Sequence, residues 1–217
     1  MDARDQVLFI LQVVLALGPI AVYFLALGLV NSQARPFLIS ARRDFVLLAS
    51  AFVPLVLVPA FGLVATGHGW LALVVVAGVV ALFRAMLPAR HTAWVIYNVG
   101  VGQFHRLLGR ACRRQGWQLR TEGDVLCIDP VGLQLTRHGI TWLRNVSLEF
   151  HGAGRHSAHA RQLVEALNDE LGCESMLPSP TGASLVVIGA SLLGLPMWYL
   201  FTHMDQIVDV VRQILFA

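Results

Sequence analysis

Apolar residues along this chain fall into four long runs, three within the first 88 positions and one near the C-terminus. The runs cover residues 7–30, 45–65, 70–87 and 183–201. A helix of about 20 apolar residues matches the roughly 30 Å hydrocarbon core of a bilayer, so each run predicts a transmembrane span. We therefore expect a three-span region over residues 1–90, an inserted domain over 91–180 and a fourth span within 181–217.

The first run resembles a secretory signal in its position. Its 24 residues exceed the apolar region of a typical signal, and Arg4 is offset by Asp2 and Asp5. We interpret it as a permanent span.

Beyond the fourth run, apolar residues recur on one helical face between Met204 and Leu215, with Asp205, Asp209 and Arg212 opposite. The pattern predicts a short amphipathic helix lying in the membrane interface. A simple continuation of the fourth span is the alternative.

The inserted domain has a different period. Alternating or β-branched segments predict strands at 93–99, 117–121, 124–129, 132–137 and 140–150. Helical spacing predicts one helix from Val101 to Gln115 and a second ending at Gly172. Glu122-Gly123 and His138-Gly139 are typical of tight hairpin turns. We expect an α+β domain with an antiparallel sheet of four to five strands and two helices on one face, inserted into a four-helix membrane protein.

Composition supports the membrane class. Of 217 residues, 56% are hydrophobic and only 13% are charged, whereas soluble domains carry about 25% charged residues. The net charge is +3, and all 16 basic residues are arginine. Arginine collects beside membrane spans for topological reasons, so this excess does not indicate nucleic-acid binding.

Orientation follows from the same arginines. Those beside the spans are Arg35, Arg42, Arg43, Arg84 and Arg90, whereas the turn at 66–69 carries none. The positive-inside rule then predicts a multi-pass protein of the bacterial inner (plasma) membrane, with the inserted domain in the cytoplasm and both termini opposite. The odd number of cysteines, without C-x-x-C spacing, favours free thiols in a reducing compartment.

The chain has no evident catalytic or transport signature. No Asp, Glu or Lys lies inside a span, which argues against a self-contained pump. No G-x-S-x-G or metal-binding H-E-x-x-H motif is present, and we expect no cofactor. The fourth span has a small-residue face with Gly182, Gly189, Ala190 and Gly194, which favours close helix approach within the chain or to a partner.

One charge pattern is suggestive. Between Phe45 and Thr121 there is no acidic residue, and three arginines share one face of the first predicted helix, with two more nearby. The five candidate docking residues are Arg106, Arg110, Arg113, Arg114 and Arg120. Such a surface near a cytoplasmic leaflet attracts anionic lipid headgroups or acidic partners. The alternative is an ordinary solvated face whose charges are balanced by acidic residues of the second helix, Glu165, Asp169 and Glu170.

His151, His156 and His159 form the other candidate cluster, a weak metal site because zinc needs three or four ligands at suitable spacing. Solvent-facing histidines are the simpler interpretation.

The pattern favours a non-enzymatic membrane subunit or scaffold whose domain docks to partner proteins or anionic headgroups. Expected partners are membrane lipids and other membrane-protein subunits or further copies of the chain, and not nucleic acid. A membrane enzyme using the region from His151 to His159, and a component of a multi-subunit channel or transporter, are the alternatives.

Overall fold

The computed structural model describes residues 3–123, 125–140, 144–152, 158–175, 180–205, 207–209 and 212. The chain divides into two compact units. The first comprises Met1–Ala26, Leu47–Met86 and Leu185–Ala217, and the second comprises Leu27–Val46 and Leu87–Ser184.

Six helices and six strands form within the described residues. The helices are α1 (Ala3–Ser32), α2 (Ala41–Ala65), α3 (Gly69–Met86), α4 (Val101–Arg114), α5 (Ala158–Gly172) and α6 (Pro180–Thr202). The strands are β1 (Phe37–Ser40), β2 (Ala93–Tyr97), β3 (Gln118–Glu122), β4 (Val125–Asp129), β5 (Leu133–Ile140) and β6 (Asn145–His151).

Four of the helices, α1, α2, α3 and α6, are long and apolar enough to cross a membrane. They coincide with the four apolar runs, so the prediction of four apolar helices long enough to span a membrane is confirmed. Their large apolar side chains are mostly exposed; Leu73 is 73% exposed and Phe61 is 70% exposed. Such surfaces are stable beside lipid or another apolar chain, because water would oppose their exposure.

Within the first unit, α6 lies directly against α1 at Gly189. A Cβ atom added at Gly189 would lie 2.9 Å from the carbonyl oxygen of Ala21 and 3.0 Å from the amide nitrogen of Leu25. A side chain of any size therefore meets backbone there. Around Gly194, by contrast, a Cβ would have no neighbour within 4 Å.

The second unit has the same kind of contact at Gly182. A Cβ there would meet the carbonyl oxygen of Gly28 and the amide nitrogen of Ser32, each at 2.9 Å. Two of the small residues of the fourth span are thus used for close helix packing within the chain.

The second unit contains one antiparallel sheet of six strands in the order β1-β2-β6-β5-β4-β3. The prediction of four to five strands was wrong by one, because β1 comes from the segment between the first two spans. Phe37 to Ser40 pairs with Tyr97 to Trp94. Four residues next to a proline and several arginines carry too little periodicity to indicate a strand, and only the partner strand defines it.

Two further contacts attach this segment to β2 and its end. The hydroxyl of Tyr97 donates a hydrogen bond of 2.6 Å to Asp44. The side-chain amide of Asn98 donates one of 2.6 Å to the carbonyl of Gln33. Ser40 also accepts a hydrogen bond from the amide of Arg43 at 3.4 Å, in the position of an N-cap for α2.

The predicted turn at His138-Gly139 was also wrong. Both residues lie inside β5, where His138 pairs with Ser147 and Gly139 with Val146. A Cβ at Gly139 would approach Val101 Cγ2 to 2.7 Å. The glycine therefore serves close approach of the first residue of α4 to the strand, which is a common use of glycine in strands.

The core lies between one face of the sheet and the two amphipathic helices. The sheet contributes Leu126, Ile128, Leu133, Leu135, Val146, Leu148 and Phe150, which alternate with more exposed residues. Helix α4 contributes Phe104, Leu107, Leu108, Ala111 and Cys112, and α5 contributes Ala160, Leu163, Ala166, Leu167 and Leu171. The helical spacing of apolar residues in the sequence therefore predicted both helices at the correct positions.

Half of the predicted C-terminal amphipathic helix, residues 204–215, lies outside the described residues. Positions 204–205, 207–209 and 212 are helical.

Candidate functional site

Helix α4 has two chemically different faces. Its apolar face is fully buried, and its opposite face carries exposed His105, Arg106, Arg110 and Arg113. The helix ends at Arg114. Gly116, whose φ of +74° suits a residue without a Cβ, follows its C-cap, and the chain then turns into β3 through Trp117.

An open groove of about 590 Å³ lies between the exposed face of α4 and the start of β3. Its lining residues are His105, Arg106, Gly109, Arg110, Arg113, Trp117, Gln118 and Leu119. Three cationic side chains thus border a depression with an aromatic and an aliphatic wall. Such a lining suits a ligand with a negative group next to an apolar part.

Gly109 lies in the middle of this face. A Cβ added there would meet only the Arg113 side chain, at 3.9 Å. Glycine inside a helix costs about 1 kcal/mol relative to alanine. Nothing within the described residues requires the glycine sterically, and the space that a Cβ would take borders the Arg113 side chain and the groove.

Acidic residues of α5 and its C-terminal extension neutralise part of the arginine surface. Arg110 pairs with Glu170 at 3.2 Å and with Glu174. The hydrogen bond that Arg110 donates to Glu174 raises the pKa of Arg110 above its ordinary value. Arg114 is 3.8 Å from both Asp169 and Glu170. The expected balancing of charge is therefore real for these two arginines.

Arg106 and Arg113 are different. Within the part of the chain that the structure describes, neither has an ion-pair partner. They lie seven residues apart on one helix face, about 10 Å along the axis, on either side of Gly109. Their charge is available to a ligand.

The structure does not bring all five candidate arginines together. Arg106, Arg110 and Arg113 line the groove, whereas Arg114 lies outside it. Arg120 is on β3, next to Leu119, which packs on the core. Strand alternation directs Arg120 to the opposite side of the sheet, where it is 3.8 Å from Glu122.

The candidate histidines that the structure describes make different contacts. His159 packs edge-to-face against Trp117, with ring centroids 5.8 Å apart. His151 is the last residue of β6 and pairs with Gln134. His156 lies outside the described residues. Among those described, no group of three His, Cys, Asp or Glu side chains is close enough to hold a metal ion.

Cys112 is the one thiol inside the domain core, and burial raises its pKa to about 11. The nearby charge of Arg113 opposes this shift but is the smaller influence. Because the thiolate is the nucleophile, the side chain is inert near neutral pH.

We expect iodoacetamide at pH 8 to modify exposed Cys173 in the folded chain while leaving Cys112 intact, as measured by peptide mass spectrometry. The raised pKa also means that the native state holds its proton more tightly than the unfolded state. Stability from this group is present below about pH 9 and declines as the pH rises to about 11. Equal modification of both thiols in the native state would contradict this account of the core.

Three contributors to the site were not identified from the sequence. Trp117 carried a signal, since a tryptophan directly after a helix stop is unusual in a solvated turn. Gly109 was visible as a glycine within a helical pattern. Glu174 follows the predicted end of the second helix, and only the tertiary fold brings it to Arg110.

The chain was compared with protein-family models, curated proteins and solved structures, and none of the three comparisons gave a match.

Proposed function

We propose that this chain is a non-enzymatic integral membrane subunit or scaffold. In this proposal the four apolar helices anchor it, and the sheet domain docks to a negatively charged surface, either of a partner protein or of anionic lipid headgroups. The positions of Arg35, Arg42 and Arg43 support a cytoplasmic domain at the inner membrane, with both termini on the other side.

The groove on α4 is the observation that carries the proposal. It combines Arg106 and Arg113, which have no ion-pair partner among the described residues, with the apolar walls of Trp117 and Leu119. A positive surface of this kind attracts anionic groups and increases their rate of encounter. Its open shape suits a bound segment or headgroup.

The anchor has room for further contacts. Large apolar side chains on all four candidate spans are exposed, including Trp198 at 72%. Lipid tails, another membrane subunit or a second copy of the chain are the chemically matched neighbours.

A metal-dependent enzyme has weaker support. The ring of His159 packs against Trp117, and its Nδ1 atom lies 3.2 Å from Oε1 of Gln162. His151 lies at a strand end within the sheet. These positions fit packing better than ligation.

The test is to purify the full chain from its native membrane in mild detergent and identify co-purifying proteins and lipids by mass spectrometry. Arg106→Glu/Arg113→Glu is the test variant, and Arg161→Glu is the matched control on exposed α5 surface. We expect the amount of acidic partner or anionic lipid that co-purifies with the double variant to fall by at least about tenfold, because each arginine contributes about 1 kcal/mol of attraction. The proposal fails if wild type retains nothing, or if the double variant retains as much as the control.

A second pair of substitutions should act in the opposite direction. Glu170→Gln/Glu174→Gln removes the partners of Arg110 and releases a third positive charge at the groove. We expect stronger retention of the same anionic molecule and a steeper loss on adding salt. Weaker retention would mean that the acidic residues take part in binding, contrary to the proposal.

A further inference from the structure

We infer that the groove over Gly109 binds the phosphate of an anionic phospholipid headgroup, supplied by the membrane in which the chain's own helices lie. This inference rests on the proposed docking function and names its ligand. It is carried by the spacing of the charges, by the glycine between them and by the short connections of the domain.

The geometry matches a single phosphate group. Arg106 and Arg113 lie three residues before and four residues after Gly109, so all three share one helix face. The Arg113 guanidinium already lies beside Gly109, with one terminal nitrogen 3.9 Å from an added Cβ, and the long Arg106 side chain can approach the same position from the other side. Arginine binds phosphate oxygens through paired, charge-assisted hydrogen bonds.

The apolar walls favour a lipid over a free anion. Trp117 and Leu119 form the side of the groove next to β3, and both pack on the domain core, so they are held in place. Inorganic phosphate has no part that would contact them. A glycerophospholipid does, since its glycerol and first acyl carbons adjoin the phosphate, and tryptophan is enriched at headgroup level.

Chain connectivity keeps the domain within reach of headgroups. Six residues join Met86 of α3 to Ala93 of β2, and β1 ends directly before α2. Six residues span at most about 20 Å. The local concentration of headgroups around the domain is therefore high whenever the apolar helices are in a bilayer.

Gly109→Leu tests the inference by filling the groove without changing any charge. An added Cβ would meet only the flexible Arg113 side chain, at 3.9 Å, which is an ordinary van der Waals contact, so we expect the variant to fold and to melt no lower than wild type. Arg106→Gln/Arg113→Gln removes the two charges, and Arg161→Gln is the matched control.

Each full-length variant is reconstituted in phosphatidylcholine nanodiscs with and without phosphatidylglycerol, released into detergent, and weighed by native mass spectrometry. We expect wild type and Arg161→Gln to retain phosphatidylglycerol in preference to phosphatidylcholine. The double variant should retain about tenfold less, as expected for loss of charge-assisted hydrogen bonds. Gly109→Leu should retain less by a similar factor, because its side chain takes the place of the phosphate between the two arginines.

The possible outcomes separate this inference from the proposed function. If Gly109→Leu keeps phosphatidylglycerol like wild type, the groove is not the lipid site, although docking through Arg106 and Arg113 elsewhere on the face still stands. If phosphatidylcholine is retained equally, the ligand is not an anionic headgroup. If Gly109→Leu instead loses a protein partner in native membranes, the occupant is a polypeptide and the lipid assignment is wrong.

Discussion

Replacing Gly189 by alanine is expected to lower the melting temperature of the chain in mild detergent by several degrees. The added Cβ would meet Leu25 Cγ at 2.8 Å and the carbonyl oxygen of Ala21 at 2.9 Å, so α6 must move away from α1. Overpacking of this kind costs about 1 to 3 kcal/mol. Because backbone atoms form the contact, a rotamer change cannot relieve it.

Gly194→Ala is the matched control in the same helix. No atom lies within 4 Å of its added Cβ, and alanine has the higher helix propensity. We expect no loss of stability from it. Equal destabilisation by the two substitutions would contradict the α1–α6 contact at Gly189. A loss of stability with Gly189→Ala but not with Gly194→Ala, five residues away, would place the contact at Gly189.

Gly139→Ala is expected to destabilise the sheet domain by a similar amount, about 1 to 3 kcal/mol. Its Cβ would come within 2.7 Å of Val101 Cγ2. Valine is branched at Cβ and has few rotamers, so the side chain cannot simply turn away. The start of α4 must shift, which also disturbs the orientation of the helix that carries Arg106.

Val101→Ala in the same chain should rescue most of this loss, since it removes the methyl group in contact. Thermal unfolding of wild type, both single variants and the double variant gives the coupling between the two positions. Gly102→Ala, whose Cβ would have no neighbour within 4 Å, controls for changes in helix propensity at the start of α4. Additive effects of the two substitutions would show that Val101 does not limit the space at Gly139.

The four long apolar helices were predictable because a bilayer requires about 20 apolar residues to be crossed, and such runs are visible without tertiary information. The sequence predicted that α6 packs closely on another helix, but not that Gly189 is a residue in contact. A small-residue face indicated helix approach, but Gly189 and Gly194 look alike in the sequence, and only the fold shows which one lies against α1.

The sheet shows where local pattern fails. Strand β6 and helix α5 carry their own periodicity, whereas β1 is four residues long and depends on pairing with Trp94 to Tyr97, more than fifty positions later. Gly139 was misread because a glycine after a polar residue is typical of a turn. Its actual role is set by Val101, which is remote in the sequence and adjacent in the fold.

The candidate site also has a part that local pattern predicts and a part that depends on the tertiary fold. Helical spacing alone placed Arg106, Arg110 and Arg113 on one face, and all three line the groove. Their different electrostatic states depend on Glu170 and Glu174, which the packing of α5 on α4 brings to Arg110. Arg120 was included because it is near in sequence, and strand alternation removes it from the group.

The central claim is that the α4 groove is a docking surface for an anionic molecule, and photo-crosslinking in intact native membranes tests it most directly. A photo-crosslinking amino acid is placed at Gln118, on the groove wall, and separately at Gln134, an exposed residue of β5 outside the groove. We expect adducts with an anionic lipid or an acidic protein from position 118, and we expect Arg106→Glu/Arg113→Glu to abolish them. Position 134 should give none of the same adducts. Absence of adducts at 118, or adducts there that survive the charge reversal, would contradict it.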